Sequence, residues 1–414
     1  MMRVLAQRSR WLVRLAWAGV TVLALLQAGV VTALWAIAAG RRRREQAQGF
    51  PHATLPPVRI NENALQIYSY GRDLYDAMLA AMDAAEESIY LETFIWKDDA
   101  VGQAFKELLI RKAQADVAVR VIFDGFGNMI VPHAFKVFPP SVHAIEYQAI
   151  RRPWQVLDPR RYALDHRKLL IVDGRVGFIG GYNLGDLYAT EWRDTHLRVD
   201  GPAAAQLAQQ FVDFWNEHCP AERRIKRHYP RQFDPRIVVR DTNALRLSFP
   251  IRDMYIAAID RAEQHVLITN AYFIPDGTLL HALVSAAERG VRVEVLLPYH
   301  SNHPVADWLA RGYFSRCLRA GIHLFGYRAM IHAKTCTIDG EWSTIGTANL
   351  DRLSAVGNYE INVEIYSRPL ARQMEALFAQ DKTNATEILL ERWDARPGWS
   401  RLGETILTPL RHVL

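Results

Sequence analysis

Two histidines, two lysines and two aspartates recur in this 414-residue chain at one spacing. The first set, in DHRKLLIVDGRVGFIGGYN, is His166, Lys168 and Asp173; the second, in IHAKTCTIDGEWSTIGTAN, is His332, Lys334 and Asp339. The match continues downstream. Gly180 and Gly346 lie fourteen residues after their histidines, Asn183 and Asn349 seventeen, and the acids Asp194 and Glu360 twenty-eight. One His-x-Lys-x4-Asp is an ordinary surface or core pattern, whereas two copies with matching distal offsets are a constellation.

Side chains two apart on a strand share a face, so each His and its Lys enter one pocket. An imidazole can attack phosphorus or move a proton. A compact ammonium suits a point charge on a non-bridging phosphate oxygen as negative charge develops. Lysine is scarce here, eight against 42 arginines, yet two of the eight occupy the motif positions. These residues predict phosphodiester transfer: one histidine forms a phosphohistidine, and the other protonates the leaving oxygen and then deprotonates an incoming hydroxyl. Lys168, Lys334, Asn183 and Asn349 bind the phosphate. Asp194 and Glu360 fix the imidazoles by charge-assisted hydrogen bonds, as the Asp of a Ser-His-Asp triad does. Asp173 and Asp339 join the catalytic set by spacing, but each precedes a glycine at a tight turn, which favours an orienting or structural role. Gly180-Gly181 and Gly346-Thr347 are small enough to let the backbone and the following Asn approach a ligand closely. No carboxylate cluster calls for a metal, and no cofactor is expected.

The elements that must position these groups repeat as well. Arg72-Asp73-Leu74-Tyr75 and Arg252-Asp253-Met254-Tyr255 each open an amphipathic helical stretch that leads into a strand, SIYLETFIW or HVLITNAYFIP. A second helix follows in each copy (GQAFKELLIRKAQ, TLLHALVSAAERG), then a buried strand (VAVRVIFDG, GVRVEVLLP) and a third near 144–148 and 322–327. Alternating strands and helices predict an α/β protein. Two similar halves, with mixed, largely parallel sheets, pack together around a shared site. The boundaries are read as an N-terminal segment at 1–48, a first half at 49–225, a second half at 226–368 and a C-terminal helical tail at 369–414 broken at Arg396-Pro397-Gly398. The basic stretch at 221–232 reads as the linker.

The formal net charge is +6, but its placement argues against a nucleic-acid reading. Of 50 Lys and Arg, eight arginines lie within residues 1–44, which hold no acid; the remaining 42 bases face 44 acids. A near-neutral body lacks a backbone-tracking basic surface. Cys219, Cys317 and Cys336 form no CxxC pair and read as free thiols. Leu15 to Gly40 is apolar except for Thr21, Gln27 and Thr32, with Trp11, Trp17 and Trp35 near its ends. Such a run spans a hydrocarbon core of roughly 30 Å and predicts one transmembrane helix. A cleaved signal peptide ending at Ala36-Ile37-Ala38 would be unusually long and would leave four arginines at the new terminus. The expected location is the cell inner membrane, single-pass, with the catalytic body cytoplasmic.

The duplicated motif resembles the defining signature of the phospholipase D superfamily. Four further segments are similar to bacterial cardiolipin synthases: ETFIWKDDAVG, EWRDTHLRVDGPAAAQLAQQFVDFW, RGVRVEVLLP and GTANLDRLSAVGNYEINVEIY. The resemblance implies transfer of a phosphatidyl group between two phosphatidylglycerols with release of glycerol, His166 as nucleophile and His332 as acid and base. It implies a phospholipid substrate and a membrane, and no nucleic-acid partner. The alternatives that use the same residues are a hydrolytic phospholipase D and, more distantly, a nuclease of this superfamily. The sequence departs from the pattern in two places: Leu353 separates Arg352 from Ser354, and one N-terminal span stands where many relatives carry two.

Overall fold

The computed structural model describes residues 17, 21–22, 25–40, 49–150, 153–229 and 234–409. The first half builds strands β1 (Val58–Ile60), β2 (Asn63–Tyr68), β3 (Ser88–Thr93), β4 (Ala118–Asp124), β5 (His143–Tyr147), β6 (Leu169–Val172), β7 (Val176–Gly180), β8 (Trp192–Arg193) and β9 (His196–Asp200). The second builds β10 (Ile237–Thr242), β11 (His265–Asn270), β12 (Arg292–Pro298), β13 (His323–Tyr327), β14 (Met330–Ile331), β15 (Lys334–Ile338), β16 (Trp342–Gly346), β17 (Glu360–Tyr366) and β18 (Ala385–Glu387). The sheet orders are β1-β2-β9-β7-β6-β3-β4-β5 and β10-β17-β16-β15-β11-β12-β13-β18. From the second strand of the first sheet and the first of the other, the two orders correspond strand for strand.

The sheets are mixed, as expected, but not largely parallel. Within these two sheets, among the described residues, only β3–β4 and β4–β5, with β11–β12 and β12–β13, run parallel. The other five pairings of each sheet are antiparallel. The cause lies in the motif itself. Crossover helices Ala100–Gln114 and Gly277–Glu288 enforce parallel neighbours early in each half. The Asp-Gly turn then folds β6–β7 and β15–β16 into tight hairpins, whose strands must run antiparallel.

Each sheet carries helices on its outer face. Helix Gly71–Asp83 buries Leu74, Tyr75, Met78 and Met82, which recur at helical spacing along one side. Its partner Pro250–Asp260 buries Ile251, Met254, Tyr255, Ala258 and Ile259. The inner faces share one apolar core: Leu169, Ile171, Ile179, Leu197 and Val199 from the first sheet meet Ile345, Ile361, Val363 and Ile365 from the second. Helices Ala204–His218 and Arg368–Lys382 add Phe211, Trp215, Leu370, Met374 and Leu377 to that core. The second of these helices therefore completes the second half, as Ala204–His218 completes the first, so the repeat runs past the boundary read at 368. The basic stretch is seated rather than loose: Ile225 and Tyr229 are buried, and Arg227 pairs with Glu87 at 2.7 Å.

The motif aspartates hold the far ends of these hairpins. Asp173 accepts from the amides of Glu86, Glu87 and Ser88 at 3.0, 2.8 and 2.7 Å. Asp339 accepts from Glu263, Gln264 and His265, each at 2.8 Å. Both sit at positive φ, 52° and 54°, ahead of glycines at 68° and 63°. They thus clamp the entry to β3 and β11. Seven extended residues separate each from its histidine, roughly 20 Å. Their place in the catalytic set is corrected on this geometry, because three backbone amides occupy each carboxylate at the opposite end of the strand.

At the N-terminus, Leu25–Gly40 is helical. Leu34 and Ala38 are buried, Leu34 shares a cluster with Leu407, and the Gln27 amide donates to the Ile406 carbonyl at 3.1 Å. Trp17, Leu25, Leu26 and Ile37 stay exposed. Among the described residues no helix is long and apolar enough to cross a membrane. Part of the expected span, residues 15–16, 18–20 and 23–24, lies outside the described residues. The tail forms helices Leu390–Asp394 and Gly398–Leu407, broken at Pro397 as read from sequence.

Replacing Asp339 by Ala removes three accepted hydrogen bonds and leaves a β-carbon residue at positive φ. The variant is expected to lose about 2–3 kcal/mol of stability in denaturant unfolding, with kcat per folded molecule close to wild type. A collapse in kcat without loss of stability would return Asp339 to the chemistry.

Candidate active site

The two histidines enter the pocket from symmetric positions, each just ahead of the strand that carries its lysine. The His166 amide donates to the Tyr359 carbonyl at 3.1 Å, and the His332 amide donates to the Arg193 carbonyl at 2.6 Å. In both cases the acceptor belongs to the other half. A short parallel pairing of β14 with β8 and a bridge between Asp165 and Tyr359 continue the exchange.

The orienting acids follow the same rule. His166 Nδ1 lies 2.9 and 3.0 Å from the Glu360 carboxylate oxygens, and His332 Nδ1 lies 2.6 Å from Asp194 Oδ2. Each half therefore supplies the acid for the other half's histidine. The pairing leaves each Nε2 as the reactive nitrogen when Nδ1 carries the proton. Phe94 stands edge-on to His166 at 4.9 Å between ring centroids; Trp192 and Tyr272 lie 5.2 and 6.3 Å from His332.

Lys168 and Lys334 are buried, 2% and 0% exposed. Each donates back to the carbonyl of its own motif histidine, Lys168 at 2.7 Å and Lys334 by a short contact. Burial lowers Lys168 to about 7 and Lys334 to about 8, with Glu360 and Asp194 pulling the other way. Burial, reinforced by the lysines, holds His166 well below its usual range and takes His332 to about 3. Both imidazoles are thereby favoured in the neutral form.

The acids differ. Burial raises Asp194, but Lys334 and His332 outweigh it and keep the carboxylate below its usual value. Glu360 is raised by burial to about 8 despite Lys168, Thr347 and Ser354. Local packing around the two acids differs as well. The Thr347 hydroxyl donates to Glu360 Oε2 at 2.5 Å. Its counterpart Gly181 makes room instead, since a β-carbon there would fall 2.1 Å from Asp194 Oδ1. The small residues after each hairpin thus accommodate neighbouring strands and the orienting acid. A Cβ on Gly180 would meet the Thr195 carbonyl at 2.4 Å, and one on Gly346 the Asn362 side chain at 2.3 Å. These glycines therefore let strand neighbours approach closely.

Asn183 and Asn349 are also buried beside the pocket. Asn183 Oδ1 accepts from the Ile95 amide at 3.2 Å, which ties the end of β7 to the chain leaving β3. Asn349 Oδ1 is buried without a partner among the described residues. Sequence reasoning missed several supports. Arg193 forms a bidentate pair with Asp381 at 2.9 and 2.7 Å, joining the halves directly behind Asp194. Arg167 grips Glu92 with two bonds of 2.8 Å and lies 4.4 Å over the Phe214 ring. Ser354 sits in a π-helical turn, Leu353–Gly357, which brings it to Glu360. The inserted Leu353 marks that turn in the sequence. The arginine pairs carry no motif signal, because their partners lie 75 and 188 residues away.

Two imidazoles with crossed acids and two buried ammoniums on a duplicated α/β frame define a phospholipase D-like protein. The family model for the cardiolipin synthase, PLD-like domain, matches residues 78–215 and 255–382. The chain is 32% identical over 375 residues to the major cardiolipin synthase ClsA of Bacillus subtilis, covering 86% of this chain and 77% of that protein. It is 30% identical over 371 residues to a cardiolipin synthase of Clostridium perfringens, covering 83% and 76%. The fold also matches the crystal structure of a phosphatidylserine synthase from Haemophilus influenzae, with a TM-score of 0.64 at 13% identity over 90% of this chain and 97% of that one. The chain belongs to the cardiolipin synthase family of phospholipase D-like proteins.

Two predictions follow from the pocket's geometry. Gly181→Ala pushes Asp194 away from His332 and is expected to lower kcat about 100-fold with the circular dichroism spectrum retained; undiminished turnover would remove Asp194 from its role. In kcat/KM, which reports the free enzyme, the ammonium forms are lost as pH rises through about 7 to 8, while the Glu360 carboxylate forms as pH rises through about 8. The profile is therefore bell-shaped with a narrow maximum, and Glu360→Gln removes its acid limb; a flat profile across that range contradicts the assignment.

Proposed function

We propose that the chain is a cardiolipin synthase that transfers a phosphatidyl group from one phosphatidylglycerol to a second and releases glycerol. The observation that carries this reading is the crossed pairing of His166 with Glu360 and His332 with Asp194 around two buried lysines. The family relationship supports the substrate class.

In this mechanism His166 Nε2 attacks phosphorus. The new P–N bond forms as the P–O bond to the departing glycerol breaks, and His332 gives that oxygen its proton. The hydroxyl of a second phosphatidylglycerol then attacks phosphorus, returns its proton to His332 and breaks the P–N bond. A bound phosphodiester adds negative charge beside the buried lysines and His332. That charge restores the protonated states of Lys168, Lys334 and His332, which burial suppresses in the free enzyme. Lys168 and Lys334, with Asn183 and Asn349, hold the non-bridging oxygens. Glu360 and Asp194 fix the imidazole tautomers and stabilise positive charge on the rings. Membrane attachment fits the same substrate: the N-terminal apolar segment anchors the body at the inner membrane, with the catalytic halves on the cytoplasmic side.

The test uses the purified full chain in mixed micelles with phosphatidylglycerol. Mass spectrometry is expected to show cardiolipin and free glycerol in equal amounts. A phosphatidyl-enzyme trapped by rapid denaturation at neutral to mildly alkaline pH, where the P–N bond survives, is expected in the wild type and not in His166→Ala. Phosphatidic acid as the sole lipid product would make the protein a hydrolytic phospholipase D. Cleavage of single-stranded DNA without lipid turnover would defeat both lipid readings.

A further inference from the structure

Joining two phospholipids requires two places to hold them. The His–Lys pocket accounts for the donor's phosphate. The acceptor brings a second phosphate and its own acyl chains, and neither is served by the groups described so far.

A cavity of about 370 Å³ opens in the second half, within the range of small-ligand sites. Its apolar walls are Phe273, Leu297, Phe314, Ile388 and Trp393. Tyr272 also lines it, and the Tyr272 ring lies 6.3 Å from the ring of His332. The Tyr272 hydroxyl bonds to Asn302 Oδ1 at 2.6 Å, which steadies the ring. One side chain, Tyr272, is thus shared by the cavity wall and the surroundings of His332.

Its charge is cationic where it is not already matched. Arg396 bonds to Glu404 at 3.2 and 2.7 Å and lies 4.1 Å over the Trp393 ring. The two lining acids are engaged: Asp307 accepts from the Ser301 amide at 2.9 Å, and Glu387 pairs with His323 at 2.8 Å. Arg392 lines the cavity, is exposed, and has no partner among the described residues. Apolar walls beside an uncommitted guanidinium fit an amphiphile with an anionic head. The surroundings point the same way. Trp399, 68% exposed, lines the cavity, and its helix, Gly398–Leu407, holds the N-terminal apolar helix through Leu407 and the Ile406 carbonyl.

We propose that this cavity is the acceptor-lipid site. It takes acyl chain from an anionic glycerophospholipid among the apolar side chains and that lipid's phosphate at Arg392, and it presents the lipid's glycerol hydroxyl past Tyr272 to His332. The proposal rests on the transferase reading above. The hydroxyl oxygen forms its bond to the phosphorus on His166, its proton passes to His332, and the P–N bond breaks. With the acceptor site impaired, water takes the hydroxyl's place and the product is phosphatidic acid.

The full chain in mixed micelles with phosphatidylglycerol tests this through two readouts, glycerol release and the ratio of cardiolipin to phosphatidic acid. Arg392→Glu opposes the acceptor's phosphate, and Ala306→Trp fills the cavity from helix Pro304–Arg319. Both are expected to lower the product ratio about tenfold while glycerol continues to be released, and Arg392→Lys is expected to recover most of the ratio. Arg392 is exposed, so its charge reversal does not depend on refolding a core. A wild-type ratio in both Arg392→Glu and Ala306→Trp overturns the cavity assignment while leaving the transferase intact. A wild type that releases no glycerol from phosphatidylglycerol overturns the transferase reading and the acceptor site with it.

Discussion

Everything in this structure depends on an exchange: the carboxylate that fixes each reactive imidazole comes from the opposite half. His166 rests on Glu360 and His332 on Asp194, and the backbone amide of each histidine bonds across the same boundary. Neither half alone owns a complete His–acid pair. The inter-half core of isoleucines and valines therefore has a catalytic consequence as well as a stabilising one, because it sets the separation over which both pairs close. The buried Arg193–Asp381 pair locks the same boundary. Breaking one partner of such a pair strands a charge in a dry place, so the interface is tied to a single arrangement.

Burial then decides the electrostatics. Two lysines, two imidazoles and two carboxylates share a region from which water is largely removed. Burial favours a weakly charged centre: lowered lysines, lowered histidines and a raised Glu360. The centre's near-symmetry is broken at one matched position, where Gly181 yields space to Asp194 and Thr347 instead donates to Glu360. At Glu360 burial outweighs that bond and raises the acid, whereas at Asp194 Lys334 and His332 outweigh burial and keep it low.

The chain's termini join the same design. The N-terminal helix and the last helix pack on each other and on the second half, close to the apolar cavity that reaches Tyr272. An apolar segment at the start of the sequence and an amphipathic one at its end read as separate features along the chain. Folding makes them neighbours.

The sequence by itself determined the duplication, the α/β class and the members of the centre, because each is written in local periodicity or in a repeated spacing. His166, Lys168, His332 and Lys334 were legible for that reason, as were the hairpin turns and the break at Pro397. Matching offsets also brought out Asp194 and Glu360 as orienting acids. Which acid serves which histidine was not legible, since offset relates residues within a half and the contact runs between halves. The motif aspartates showed the converse limit: repetition marked them, but only the structure revealed that backbone amides consume them. Sheet direction went the same way: the crossovers did make parallel neighbours, but antiparallel pairings, many between strands distant in the chain, outnumber them. Arg167–Glu92, Arg193–Asp381, Thr347 and Ser354 left no local signal. Their roles arise from side chains meeting over long sequence separations in a region of low dielectric, which only the tertiary structure creates.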